Sequence, residues 1–267
     1  MNITYYMEMG KFPSGELDPK LSSDIHLEVH SATVNARLNN SDDIMALLFT
    51  VDALRRAYGV IEIKLFIYKM PYAQQDRICN DGEAHCLAVV AKQINSLGAK
   101  QVTICDPHSN VTEALIENLV VISQYDIFSK VYPSWGNKVL VAPDAGSQKK
   151  VFSFAKRVGA GGVIFCDKIR DLGTNRIIRS VLNADASEVE GKELVILDDI
   201  CLKGGTFLAL AGMLLPYKPK SMDLVVTHGV FNDNALPDLL RTFDNIHTTN
   251  SYNVDLVSDK NLFVIKK

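Results

Sequence analysis

The chain alternates short apolar runs with stretches whose apolar residues return every three or four positions. Residues 60–68 are rich in β-branched and aromatic side chains and read as a strand. They follow a helical stretch from about Asp42 to Tyr58. Its expected N-cap is Ser41, its acidic first turn is Asp42 and Asp43, and its stop is Gly59. Residues 84–97 repeat apolar positions at helical spacing up to Gly98, and 101–105 read as a short buried strand. Further strands are predicted over 138–142, 162–166, 194–197 and 222–227, with helices over 148–158, 207–215 and 235–243 between them. Strands separated by helices of this length imply βαβ units and right-handed crossovers. At the start, residues 3–8 and 25–34 show strand patterning with no helix between, as in a small antiparallel extension. Helical patterning breaks at Tyr132-Pro133-Ser134-Trp135-Gly136, and a new strand follows. The expected organisation is α/β with two similar domains, 1–134 and 135–267, each a mainly parallel sheet flanked by helices.

Composition narrows the function classes. A chain of 267 residues with 47% hydrophobic and 22% charged side chains is long enough to hold a core without disulfides or structural metal. Its net charge of −3 argues against non-specific nucleic-acid binding by phosphate neutralisation, but not against a small polyphosphate. The five cysteines (Cys79, Cys86, Cys105, Cys166, Cys201) lie far apart with no Cys-x-x-Cys pair. With no secretory leader pattern, they predict buried or incidental thiols in a reducing, cytoplasmic setting. No apolar run nears the roughly 20 residues that span a bilayer, so neither a membrane nor a nucleic-acid partner is expected.

Ligands of open parallel sheets bind at the carboxyl ends of strands, and the unusual polar clusters fall at such places. In the segment from Val195 to Thr206 an apolar strand ends in Asp198 and Asp199, and a short loop leads to Gly204-Gly205-Thr206 opening a helix. The glycines let backbone N–H groups turn inward, Thr206 adds a hydroxyl, and the helix start adds partial positive charge, which together make an anion cradle. The two acids would repel a bare phosphate, so they are expected to face ribose hydroxyls, a metal ion, or both.

This segment resembles the ribose-phosphate motif of the type I phosphoribosyltransferase fold. Other segments are similar to signatures of the ribose-phosphate pyrophosphokinases. Met70-Pro71-Tyr72-Ala73-Gln74-Gln75-Asp76-Arg77 matches their Tyr-Ala-Arg-Gln-Asp-Arg run. Phe12-Pro13-Ser14-Gly15-Glu16 matches Phe-x-Asp-Gly-Glu, and Cys105-Asp106-Pro107-His108-Ser109 matches Asp-Leu-His. Ala142-Pro143-Asp144-Ala145-Gly146 matches Ser-Pro-Asp-x-Gly, and Asp167-Lys168-Ile169-Arg170 matches Asp-Lys-x-Arg. The six motifs stand in the family's order.

The resemblance implies two phosphoribosyltransferase-like domains in a transferase of the ribose-phosphate diphosphokinase type. It would move the β,γ-diphosphoryl group of ATP to the anomeric hydroxyl of ribose 5-phosphate, with Mg²⁺ as cofactor. It further implies a homodimer or larger homo-oligomer with a shared nucleotide site. Lys168 and Arg170 would be the catalytic cations, and His108 and Asp144 the metal ligands. Gln75, Asp76 and Arg77 would contact ATP, and Phe12 and Glu16 would reach the adenine of a neighbouring subunit's nucleotide. Asp198, Asp199, Lys203, Gly204, Gly205 and Thr206 would hold the ribose phosphate. Transfer of this kind needs charge neutralisation and in-line positioning more than covalent catalysis.

Four departures from the family pattern bear on specificity. The loop Leu202-Lys203-Gly204-Gly205-Thr206 replaces an Asp-Thr-x-Gly-Thr sequence, so an acid is lost and a lysine gained. Gln74 stands where the family has arginine, and Ser14 where it has aspartate. Only eleven residues precede Phe12, so the family's first helix is expected to be missing. Changes therefore fall on substrate recognition, while the groups expected to stabilise the migrating phosphates remain. An acceptor with a larger 5′ substituent, such as ADP-ribose in NAD salvage, is the alternative that the Lys203 loop suggests. A non-catalytic regulatory homologue is a further one.

Overall fold

The computed structural model describes residues 7–21, 30–170, 177–232 and 234–267. The chain divides into two compact units, Met1–Ile122 and Ser123–Lys267. The division falls ahead of the break at 132–136. Tyr132 donates to Asp223 at 2.6 Å and the Trp135 ring lies 5.1 Å from that of Phe154, so this stretch packs with the second unit.

In the first unit, β1 (Met7–Lys11) and β2 (Leu17–Leu21) form an antiparallel hairpin. Then come β3 (Ser31–Ala36), α1 (Ser41–Tyr58), β4 (Glu62–Ile67), α2 (Cys86–Ser96), β5 (Gln101–Cys105), α3 (Asn110–Leu115) and β6 (Leu119–Ile122). Strands β3 to β6 make a parallel sheet in chain order. Its core gathers Ile63, Leu65 and Ile67 with Leu47, Val51 and Leu54 of α1 and Leu87 and Ile94 of α2. The patterning at 25–34 is therefore no part of an antiparallel extension where it is described, because β3 runs parallel to β4. Residues 3–6 and 25–29 lie outside the described residues. Helix α1 is capped by Asn40, not Ser41. Asn40 is extended (φ −148°, ψ −179°) and shares a reciprocal capping box with Asp43, whereas Ser41 is already helical. Gly59 ends α1 at φ 61°, as expected of a left-handed C-cap.

The second unit contains α4 (Gln124–Phe128), β7 (Lys138–Ala142), α5 (Gln148–Val158), β8 (Gly162–Arg170), β9 (Ile177–Asn183) and α6 (Ala186–Val189). It continues with β10 (Glu193–Cys201), α7 (Gly205–Leu214), β11 (Ser221–Gly229), α8 (Ala235–Thr242), β12 (Asn245–Thr249) and β13 (Leu262–Ile265). Its sheet runs β13-β12-β11-β10-β7-β8-β9, all parallel except β9. The chain moves outward from β7 to β8 and β9, then returns to lay β10 on the other flank of β7. That reversal is a topological switch point, where open parallel sheets carry a crevice beyond the strand ends.

The two ends of this sheet differ in chemistry. At the amino end, Lys138 of β7 pairs with Glu193 of β10 at 3.0 Å. Buried Asp223 of β11 accepts from Tyr132 Oη at 2.6 Å and Asn245 Nδ2 at 2.9 Å. Every buried charge there has partners, so this end fastens strands. The carboxyl end gathers acids: Asp198 there feels the charges of both Asp199 and Asp144.

Candidate functional site

In the first unit, the tips of adjacent strands β4 and β5 bring two of the sequence motifs together. The loop after β4 passes through Tyr72, whose φ of 55° is rare for a bulky residue, and Tyr72 Oη bonds Ser41 Oγ at 3.0 Å. Gln75 is exposed, while its backbone bonds Tyr72 and Leu87 and closes the loop onto α2. Asp76 is buried beneath the exposed guanidinium of Arg77, which donates at 2.7 and 3.1 Å. Ser109 Oγ, beyond the β5 tip, donates to the same carboxylate at 2.6 Å. Arg77 first, then Ser109 and nearby His108, draw the Asp76 carboxyl down to about 2. Asp106 holds φ 37° while buried, and His108 stands exposed beside it. Phe12 and Glu16 lie on the β1–β2 turn, where Phe12 is half-exposed and Ser14 Oγ donates to Glu16 Oε2 at 2.8 Å.

In the second unit, the switch point gathers Asp144 from the β7 tip with Asp198 and Asp199 of β10. Strand β10 runs past residue 197 to Cys201, so both acids lie within its last turns of pleat rather than in the loop. Burial pushes the Asp198 carboxyl well above its ordinary range, and the neighbouring charges of Asp199 and Asp144 push it further. Asp144 is held by Ser147, whose N–H donates to Oδ1 at 3.1 Å and whose Oγ donates to the Asp144 carbonyl at 2.8 Å. Beyond β10, Lys203 and Gly205 are exposed and Thr206 is half-buried. Gly204 opens α7 at φ 72° against Leu239, and no side chain caps the helix. Burial lifts the Cys201 thiol to about 12, against a hydrogen bond from the Gly204 N–H, so it is an inert packing group.

Lys168 and Arg170 lie on β8, opposite Ser180 and Ile177 of β9, with a ladder shift between residues 169 and 170; their side chains are outside the description. Asp144 and Asp198 are near enough for their charges to oppose each other, and a pair of carboxylates suits a hard divalent cation that keeps most of its waters, as Mg²⁺ does. Among the described residues, no three His, Cys, Asp or Glu side chains are grouped so that they could hold a metal ion. No described helix is long and apolar enough to cross a membrane. Sequence patterning misses two residues at these sites. Ser109 carries only a helix-cap signal, and buried Gln124, which donates to the Asp198 carbonyl, carries none.

No protein-family model matches the chain. Among curated proteins it is 29% identical over 225 residues to ribose-phosphate pyrophosphokinase 2 of Archaeoglobus fulgidus, covering 84% of this chain and 76% of that one. It is 32% identical to ribose-phosphate pyrophosphokinase of Ureaplasma parvum, over 73% of this chain and 59% of that protein. With the Aquifex aeolicus protein of the same name, identity is 29% over 85% of this chain and 73% of that one. Phosphoribosylpyrophosphate synthetase from Mycobacterium smegmatis superposes with a TM-score of 0.83 over 99% of this chain and 87% of that one, at 20% identity. The chain thus shares that protein's fold, with mainly parallel sheets and helices.

Proposed function

Because the chain is a divergent homologue of the ribose-phosphate pyrophosphokinases, we propose that it transfers the β,γ-diphosphoryl group of ATP to the anomeric hydroxyl of ribose 5-phosphate. The products are phosphoribosyl diphosphate and AMP. The observation that carries this reading is the gathering of Asp144, Asp198 and Asp199 at the switch point beside the Gly204–Thr206 helix start. A sugar phosphate needs that combination, with carboxylates to accept from hydroxyls and backbone N–H groups to take the phosphate.

Asp198 and Asp199 take the ribose hydroxyls, and Lys203, Gly204, Gly205 and Thr206 take the 5-phosphate. Lys168 and Arg170 neutralise the migrating diphosphate. Gln75 and Arg77 bind ATP, with Asp76 fixing the Arg77 fork through two hydrogen bonds. Phe12 and Glu16 meet adenine. His108 and Asp144 are the proposed Mg²⁺ ligands, and the ion when bound offsets the charge of the ATP phosphates. A cytoplasmic homodimer or larger homo-oligomer rests on the family resemblance. Incubation of the protein with Mg·ATP and ribose 5-phosphate should release AMP, and release no greater than from Lys168→Ala would reject the assignment.

The exposed Lys203 favours a second reading, in which the acceptor is a 5′-substituted ribose such as ADP-ribose. A lysine at that place adds a point charge for a diphosphate diester. Side-by-side turnover on the two acceptors decides between them. Preference for ADP-ribose that is lost in Lys203→Ala supports the second reading, and its absence in the parent removes it.

A further inference from the structure

We propose that Gln124 is a positioning residue for the Asp198–Asp199 acid pair, which it controls by holding the peptide between the two aspartates. This rests on the reading of that pair as acceptor-binding. Gln124 opens α4, is 3% exposed, and reaches the sheet where β10 and β11 end. Its Nε2 donates to the Asp198 carbonyl at 2.6 Å and to Thr227 Oγ1 at 3.3 Å. At the other end of the same peptide, the Asp199 N–H donates to Asp198 Oδ1 at 2.9 Å. Donation to an amide carbonyl polarises the amide and strengthens what its N–H gives. Pinning the carbonyl also fixes the direction of the N–H, and with it the direction in which the Asp198 carboxylate faces. The paired register of β10 and β11 passes from Asp198–Val226 to Ile200–His228, stepping over Asp199 and Thr227. Gln124 joins the two strands at that step.

Fastening alone would not select this side chain. Gln124 Oε1 is buried without a hydrogen-bond partner among the described residues, and an unsatisfied buried amide oxygen lowers stability. Turning the amide over would set two oxygens against each other, so the donor must face Asp198. A methionine would fill nearly the same volume without the orphaned acceptor. Glutamine is therefore unfavourable for packing and useful for what it does to the peptide.

The test compares the full chain with Gln124→Met. The variant loses the orphaned Oε1 together with the two bonds that Nε2 donates, so it should melt close to the parent temperature, and its Asp199 amide should exchange with deuterated water at least ten-fold faster. Its kcat/KM for the ribose acceptor should fall about ten- to a hundred-fold, with KM for ATP unchanged, as expected for a small misplacement of a binding group. Unchanged Asp199 exchange overturns the inference whatever turnover does. Faster exchange with unaltered acceptor kinetics overturns it as well. A lower melting temperature with equal losses toward both substrates would mark a structural fastening and has the same effect. If the parent turns over no ribose acceptor, the proposed function falls, and the exchange comparison alone judges whether Gln124 holds the peptide.

Discussion

Ser109 gives its hydroxyl hydrogen to the Asp76 carboxylate at 2.6 Å, tying the tip of β5 to the loop that follows β4. The same oxygen accepts from the Val111 N–H at 3.4 Å as the cap of α3. Ser109→Ala removes both bonds at once and should cost about 1–3 kcal/mol. Urea denaturation checks the size. KM for ATP should rise in the same variant, because Arg77 loses its fixed counter-ion geometry.

The depressed Asp76 carboxyl makes stability depend on pH. Its folded value of about 2 lies below the ordinary 3.8, so the contribution is complete above about pH 4 and disappears as the pH falls toward 2. The shift corresponds to about 2 kcal/mol at neutral pH. Denaturation of the parent and Asp76→Asn from pH 7 to 2 should give curves separated by a constant gap at high pH that closes below pH 4. A gap that persists at pH 2 would assign the difference to packing.

Gly204 and Gly205 separate backbone strain from ligand contact. A Cβ at Gly204 would sit at φ 72° and 3.2 Å from the Leu239 side chain, whereas one at Gly205 meets nothing within 4 Å. Gly204→Ala should lose roughly 1–2 kcal/mol from the left-handed backbone alone. Gly205→Ala should leave stability unchanged or raise it by up to about 1 kcal/mol, since alanine favours a helix. If the N-terminus of α7 receives a phosphate, the Gly205 variant raises the acceptor KM while melting normally.

The sequence marks some of this fold almost to the residue. Residues 101–105, 138–142 and 148–158 lie next to glycine, proline or serine; the two strands are buried nearly throughout, and the helix buries one face through Val151, Phe154 and Ala155. Strand β12, Asn-Ile-His-Thr-Thr, is buried nearly throughout although four of its five residues are polar; Thr249 Oγ1 donates to the Thr227 backbone carbonyl at 2.7 Å, and its run of letters does not read as core. The parallel course of β3 is set by β4, some thirty residues away, and local patterning cannot carry it. The acids at 198 and 199 stand out because carboxylates rarely follow an apolar strand. Gln124 does not, since its partners are a backbone carbonyl and a threonine far along the chain.

The acid cluster at the switch point should make the second unit more stable once a charge is removed. The carboxyl of Asp198 is raised by burial and by Asp199 and Asp144. Its ionisation therefore opposes folding, with a penalty that appears as pH rises through the ordinary aspartate value and grows up to the raised one. Asp198→Asn should raise the melting temperature at pH 7 and not at pH 3, while abolishing most turnover. Added Mg²⁺ should stabilise the parent more than the variant. Thermal melts at the two pH values, with and without the ion, check both statements.

The return of β10 to the flank of β7, after the chain has travelled out through β8 and β9, has a bearing on biogenesis. Domains take shape from the amino end as the ribosome delivers them. A nascent chain halted after β9 would own Asp144 but neither of its acidic neighbours, and the flank of β7 would stand open as an unpaired edge. Translation must pass residue 201 before that edge is sealed, and the electrostatic repulsion of the finished site arrives in the same step that protects the intermediate from aggregation.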